Sequence, residues 1–135
     1  MKVVLDTNVF VSGIFFKGPP FQILHAWREG IVQLAVSPEI LEEYRRVGEI
    51  LSDEYPTIDF SPALEFVIQN AIIYAAPPLS GPVCVDPDDD KFLACAIASK
   101  SNLVVSGDKH LLGVSGYKKI EVLSPRRFLN RYLSK

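Results

Sequence analysis

Lys2-Val3-Val4-Leu5, running without a break into Asp6-Thr7-Asn8, is the stretch that decides the fold. Val3, Val4 and Leu5 put apolar side chains on both alternating faces, the pattern of a strand covered by helices on each side. Three further runs read the same way: residues 32–36 (VQLAV), 102–106 (NLVVS) and 120–123 (IEVL), the last short enough to be an edge. Between them, helix starts are written as Ser37-Pro38, Ser61-Pro62 and Ser124-Pro125. In each, a hydroxyl caps free N–H groups and a proline follows where no nitrogen donor is needed. These starts predict helices over 38–51, 62–74 and 125–133, and apolar spacing adds two more over 20–29 and 88–100. Alternating strands and helices predict an α/β domain with a central parallel sheet. Pro77-Pro78 and Ser80-Gly81-Pro82 interrupt the chain, but the flanking pieces are too small to fold alone, so residues 1–135 are expected to form one domain.

Composition removes several function classes. At 135 residues and 48% apolar the chain can bury a core, and its 22% charged residues exclude wholesale disorder. A net charge of −2 excludes nucleic-acid coating by bulk positive charge, though not a local patch. No run approaches the roughly 18 apolar residues of a membrane span, and the N-terminus enters the first strand directly, so no secretory leader is expected. Cys84 and Cys95 are too few for a disulfide framework or a four-thiolate site, and are expected as reduced core residues of a cytoplasmic protein.

The acids are placed with more purpose. In open parallel sheets, functional groups gather beyond the carboxyl ends of the strands. Asp6 follows the first strand there, and Asp108 stands two residues after Ser106. A carboxylate at the end of an apolar strand is costly unless something compensates it. In Asp86-Pro87-Asp88-Asp89-Asp90, helical spacing puts Phe92, Leu93 and Ala96 on the face of Asp89, so Asp89 points inward and Asp90 away. The crowded run leaves Asp88 or Asp90 as the alternatives one residue off. On the helix over 38–51, Glu43 borders the apolar stripe of Ile40, Tyr44, Val47 and Leu51, whereas Glu42 faces the opposite way. Four converging carboxylates raise each other's pKa unless a cation lies between them. An all-oxygen donor set suits Mg²⁺ or Mn²⁺ better than Zn²⁺, and phosphodiester hydrolysis is the chemistry this suggests.

Together these segments resemble a known family. Val4-Leu5-Asp6-Thr7-Asn8-Val9 resembles the opening motif of the PIN-domain family, and Ser37-Pro38-Glu39-Ile40-Leu41-Glu42-Glu43-Tyr44 its glutamate-bearing helix. Asp86-Pro87-Asp88-Asp89-Asp90-Lys91-Phe92-Leu93 resembles its third acidic motif, and Val104-Val105-Ser106-Gly107-Asp108 its fourth. The resemblance spans residues 3–112 and is nearest the short toxin components of prokaryotic toxin–antitoxin pairs. It implies a three-layer α/β/α fold and Mg²⁺- or Mn²⁺-dependent cleavage of RNA, with an antitoxin protein as partner. Its catalytic and metal-binding acids fall on Asp6, Glu43, Asp89 and Asp108. Asn8 and Ser106 fall on the polar positions that orient them.

Each acid also has a plain reading. Asp86, Asp89 and Asp108 suit helix N-termini, Asp6 a turn, and Glu43 a solvated helix face. Independent capping does not explain why the acids share one end of one sheet. Two other functions compete: a phosphatase or phospho-accepting domain, disfavoured because position 8 is Asn rather than a second acid, and an RNA-binding scaffold without catalysis. Six basic residues (Lys118, Lys119, Arg126, Arg127, Arg131, Lys135) against Glu121 give the C-terminal segment a local +5, which reads first as a solvated helix face and otherwise as a patch near the cleft that draws in the RNA backbone. The stretch 39–65 carries eight acids against Arg45 and Arg46. Phe15-Phe16 is expected in a loop, to stack on a base or pack under the first helix. The two histidines carry little weight: His25 reads as a helix-surface or partner-facing residue, and for His110, two residues after Asp108, a substrate-phosphate contact is the minority reading. The apolar segment 64–68 points to a homodimer or larger assembly, or to an antitoxin contact.

Overall fold

The computed structural model describes residues 1–133. Its strands are β1 (Lys2–Leu5), β2 (Gln33–Val36), β3 (Ile72–Ile73), β4 (Leu103–Val105) and β5 (Glu121–Leu123). All pairings are parallel and the order is β3-β2-β1-β4-β5. The helices are α1 (Thr7–Phe15), α2 (Pro19–Arg28), α3 (Pro38–Glu54), α4 (Ser61–Asn70), α5 (Asp90–Ser99), α6 (Lys109–Leu112) and α7 (Pro125–Phe128), the last running on into a π-helical turn, Leu129–Leu133. Helices cover both faces, giving the three-layer α/β/α sandwich. The central strands are accordingly dry: Val3, Val4, Ala35, Val36, Val104 and Val105 are fully buried.

Several elements depart from the sequence expectation. Residues 7–15 form α1, not a loop, with Phe15 buried and stacked on Phe60 and only Phe16 exposed. Thr7, Val9, Phe10, Val11, Gly13 and Phe15 are all buried, and the polar stripe is reduced to exposed Asn8 and half-buried Ser12, too narrow to give a clear 3.6-residue signal. The helix expected over 62–74 ends at Asn70, where Ala71 turns extended and Ile72–Ile73 joins the edge of the sheet beside β2. Two isoleucines following an apolar helix look like its next turn, and only the vacant edge of β2 draws them into a strand. The Ser61 cap also fails: Ser61 opens the helix itself, and its N–H is accepted by Asp59. Ser37 and Ser124 do cap, accepting from Ile40 N–H at 3.3 Å and Arg127 N–H at 3.2 Å. The helix expected from 88 starts at Asp90, after a 3₁₀ turn over Pro87–Asp89.

Helix α3 is the element that matters most for the site, and two contacts fix it. Tyr44, fully buried, donates its hydroxyl to the Leu5 carbonyl at 2.6 Å and stacks on Phe10 with ring centroids 4.2 Å apart. Further along, Gly48 lets the Phe60 ring approach the helix backbone where any Cβ would collide with it.

Candidate active site

The chain adds β2 and β3 on one side of β1 and then crosses to place β4 and β5 on the other. The switch point therefore lies between the carboxyl ends of β1 and β4, where flanking loops diverge and leave a crevice. Asp6 directly follows β1, and Asp108 follows β4 by way of Ser106 and Gly107. Glu43 comes from the second turn of α3, and Asp89 from the junction of the 3₁₀ turn and α5. All four line one open cleft of about 180 Å³, together with Thr7, Asn8, Arg46, Val47, Asp88 and Phe92.

Capping and convergence prove compatible, because a carboxylate has two oxygens. Asp6 Oδ1 caps α1 through Val9 N–H at 2.9 Å, while Oδ2 receives the Ser106 hydroxyl. Asp108 Oδ1 caps α6 through His110 N–H at 2.9 Å. Ser106, fully buried, also accepts the Asp108 N–H at 3.0 Å, so one hydroxyl orients both acids. Glu43 receives Thr7 Oγ1 on one oxygen and Lys91 Nζ on the other. Asn8 is exposed at the rim, and the hydrogen bonds to the acids come from Thr7 and Ser106 instead.

The aspartate run separates by environment. Asp90 is turned out of the cleft and clamps the preceding loop, accepting Cys84 N–H at 2.7 Å and Val83 N–H at 3.1 Å. Partial burial acts to raise its pKa, but those N–H groups outweigh it and hold the carboxyl below the usual range. Asp88 is exposed and lies 3.2 Å from Lys91. Asp89 is pushed up to about 6, first by burial and then by the charges of Asp108, Asp86, Glu43 and Asp6. Asp6 is likewise pushed up to about 6, mainly by burial with added repulsion from Asp108 and Glu43, against the lowering effect of Ser106 and Val9 N–H. Mutual repulsion of this kind marks a concentration of negative charge that a cation would relieve.

Among the described residues, no three His, Cys, Asp or Glu side chains are already gathered as a metal cluster. The donor chemistry nonetheless fits a hard divalent ion, since five carboxylates, Asp88 among them, line the cleft and neither cysteine does. Both thiols are buried, and burial above all pushes Cys84 and Cys95 up to about 12, so neither is a thiolate.

Sequence reasoning assigned no role to Thr7 and Arg46, which line the cleft, or to Lys91, which reaches Glu43. Thr7 stood inside a motif read for its acid. Lys91 meets Glu43 across 48 positions, a pairing without any local signature. The Arg46 guanidinium is largely exposed, 3.9 Å from Glu43. His25 is exposed and pairs with Glu29 at 2.9 Å, and His110 is exposed beside Asp108.

The basic C-terminal segment divides, because parallel strands share one direction. Arg126 and Arg127 follow β5 and stand at the cleft end of the sheet, whereas Lys118 and Lys119 precede it at the far end. Arg131 is bound to Glu121, the first residue of β5, and Lys135 lies outside the described residues. The local +5 therefore does not face the cleft as one patch. Among the described residues, no helix is long and apolar enough to cross a membrane.

An archaeal relative, "Uncharacterized protein MJ1680" of Methanocaldococcus jannaschii, is 30% identical over 147 aligned positions that cover 98% of this chain and 92% of its own. The PIN domain profile matches residues 2–110, from the first strand to just beyond Asp108. A crevice of converging acids at the switch point of a parallel sheet and a profile match over most of the sequence lead to one assignment: the chain belongs to the PIN-domain family, whose domains are commonly nucleases.

Proposed function

We propose that this protein is a metal-dependent endoribonuclease that hydrolyses RNA phosphodiester bonds with Mg²⁺ or Mn²⁺. The observation that carries the reading is the convergence of Asp6, Glu43, Asp89 and Asp108 on one cleft at the switch point. A bound divalent ion would activate water and neutralise charge on the phosphate. Asp6, Asp89 and Asp108 would hold that ion, with Glu43 completing the set. Ser106 fixes the rotamers of Asp6 and the loop of Asp108, the kind of support from behind that keeps ligands aligned. Arg46, exposed at the rim, is placed to meet a phosphate oxygen. Histidine is not needed as base in this scheme.

The finer reading is a cytoplasmic toxin of a toxin–antitoxin pair. It is supported by exposed Ile68, Ile72 and Ile73 along α4 and the β3 edge, apolar surface that suits an antitoxin or a second copy of the chain. The test is incubation of the purified protein with a defined RNA pool, with and without Mn²⁺, against Asp6→Asn. Mn²⁺-dependent cleavage lost in the variant supports the reading. RNA binding without cleavage would favour a scaffold, and a trapped aspartyl-phosphate a phospho-accepting domain.

A further inference from the structure

Glu43 is paired with a cation of the protein's own, unlike Asp6, Asp89 and Asp108 in the same cleft. The Lys91 ammonium bonds one Glu43 oxygen while Thr7 occupies the other, so both oxygens are engaged. Lys91 also lies 3.2 Å from Asp88, and Arg46 approaches Glu43 at 3.9 Å. Among the described residues, these salt bridges reach Glu43 and Asp88 but not Asp6, Asp89 or Asp108. The Lys91 and Glu43 side chains are 17% and 13% exposed, dry enough for weak screening yet close enough to solvent for the lysine to swing out.

We infer that Lys91 is an internal counter-cation for Glu43, and that a divalent ion recruits Glu43 only by displacing it. The inference rests on the metal-nuclease reading above. Three aspartates would receive the ion first, and its charge would then drive the ammonium from the glutamate. Lys91 is thereby a positioning residue: it holds Glu43 in the apo protein and sets the threshold for its entry into the ligand set. Two cations cannot share one carboxylate at contact distance without repelling each other, so removing the lysine charge favours the metal.

The test is calorimetric titration of Mn²⁺ into metal-stripped full-length protein, which reads affinity without activity. Lys91→Met is expected to bind Mn²⁺ about tenfold more tightly than wild type, and Lys91→Arg, which keeps the charge, about as wild type does. In a Glu43→Gln background the gain from Lys91→Met should shrink to about threefold or less, because the contested carboxylate is gone. Lys91→Gln, which keeps a donor for Glu43, serves in place of Lys91→Met if the latter melts early. Equal or weaker binding by the uncharged variants overturns the inference alone, and so does an undiminished gain in the Glu43→Gln background. Failure of wild type and Lys91→Met alike to bind Mn²⁺ overturns the metal-nuclease reading and this inference with it.

Discussion

The hydroxyl of Ser106 donates to Asp6 and accepts the N–H of Asp108, so a single fully buried side chain ties the ends of β1 and β4 together. Both acids thereby keep an orientation that neither loop would impose alone.

Ser106→Ala removes this tie. The buried Asp6 carboxylate loses a donor to its charged form, so its pKa should rise above the present value of about 6. Cleavage or Mn²⁺ affinity is expected to fall about 10–100-fold, with about 1–3 kcal/mol of stability lost for the groups left unbonded. Parallel cleavage assays and urea melts check this, and wild-type activity in the variant would refute it.

Asp6→Asn and Asp89→Asn should abolish cleavage while leaving the fold intact. Each keeps size and shape but removes a charge from a cleft whose acids repel one another. Added Mn²⁺ should raise the melting temperature of wild type but not of the variants, because ligands that bind only the folded state stabilise it. Chelation should return wild type to its apo melting temperature.

The comparison of Asp6→Asn with wild type also has a pH signature. The Asp6 carboxyl goes from an ordinary value of 3.8 to about 6 on folding, so the folded state prefers it protonated. That contribution is fully present below about pH 4 and is lost as pH rises through 6, on the order of 3 kcal/mol in all. Without metal, wild type should therefore lose stability relative to Asp6→Asn between pH 4 and pH 7. Mn²⁺ should reverse the trend, since it binds the ionised carboxylate. Thermal melts across this range measure it, and a stability difference independent of pH would contradict the burial argument.

Gly48→Ala tests how α3 is seated. Its new methyl would meet the Phe60 ring, which is held between Phe10 and Phe15 at centroid distances of 6.2 and 6.0 Å and has little room to yield. We expect a loss of about 1–3 kcal/mol, with cleavage reduced because Glu43 rides on the same helix. A melting temperature equal to wild type would show that Phe60 moves freely.

The sequence by itself determined the parallel sheet and the acids worth watching. Apolar runs on both strand faces, Ser-Pro starts at Ser37 and Ser124, and the face of Asp89 against Asp90 are local patterns, and local patterns survive in one dimension. Helix α1 and strand β3 were not legible, because a helix buried on most of its surface shows only a two-residue polar stripe and a two-residue strand exists only beside its neighbour. Tertiary structure alone decided that Lys91 meets Glu43, that Ser106 serves two acids, and that the basic C-terminal residues part to opposite ends of the sheet. Those relations depend on distances between strands and on strand direction, and neither quantity is written in the order of residues.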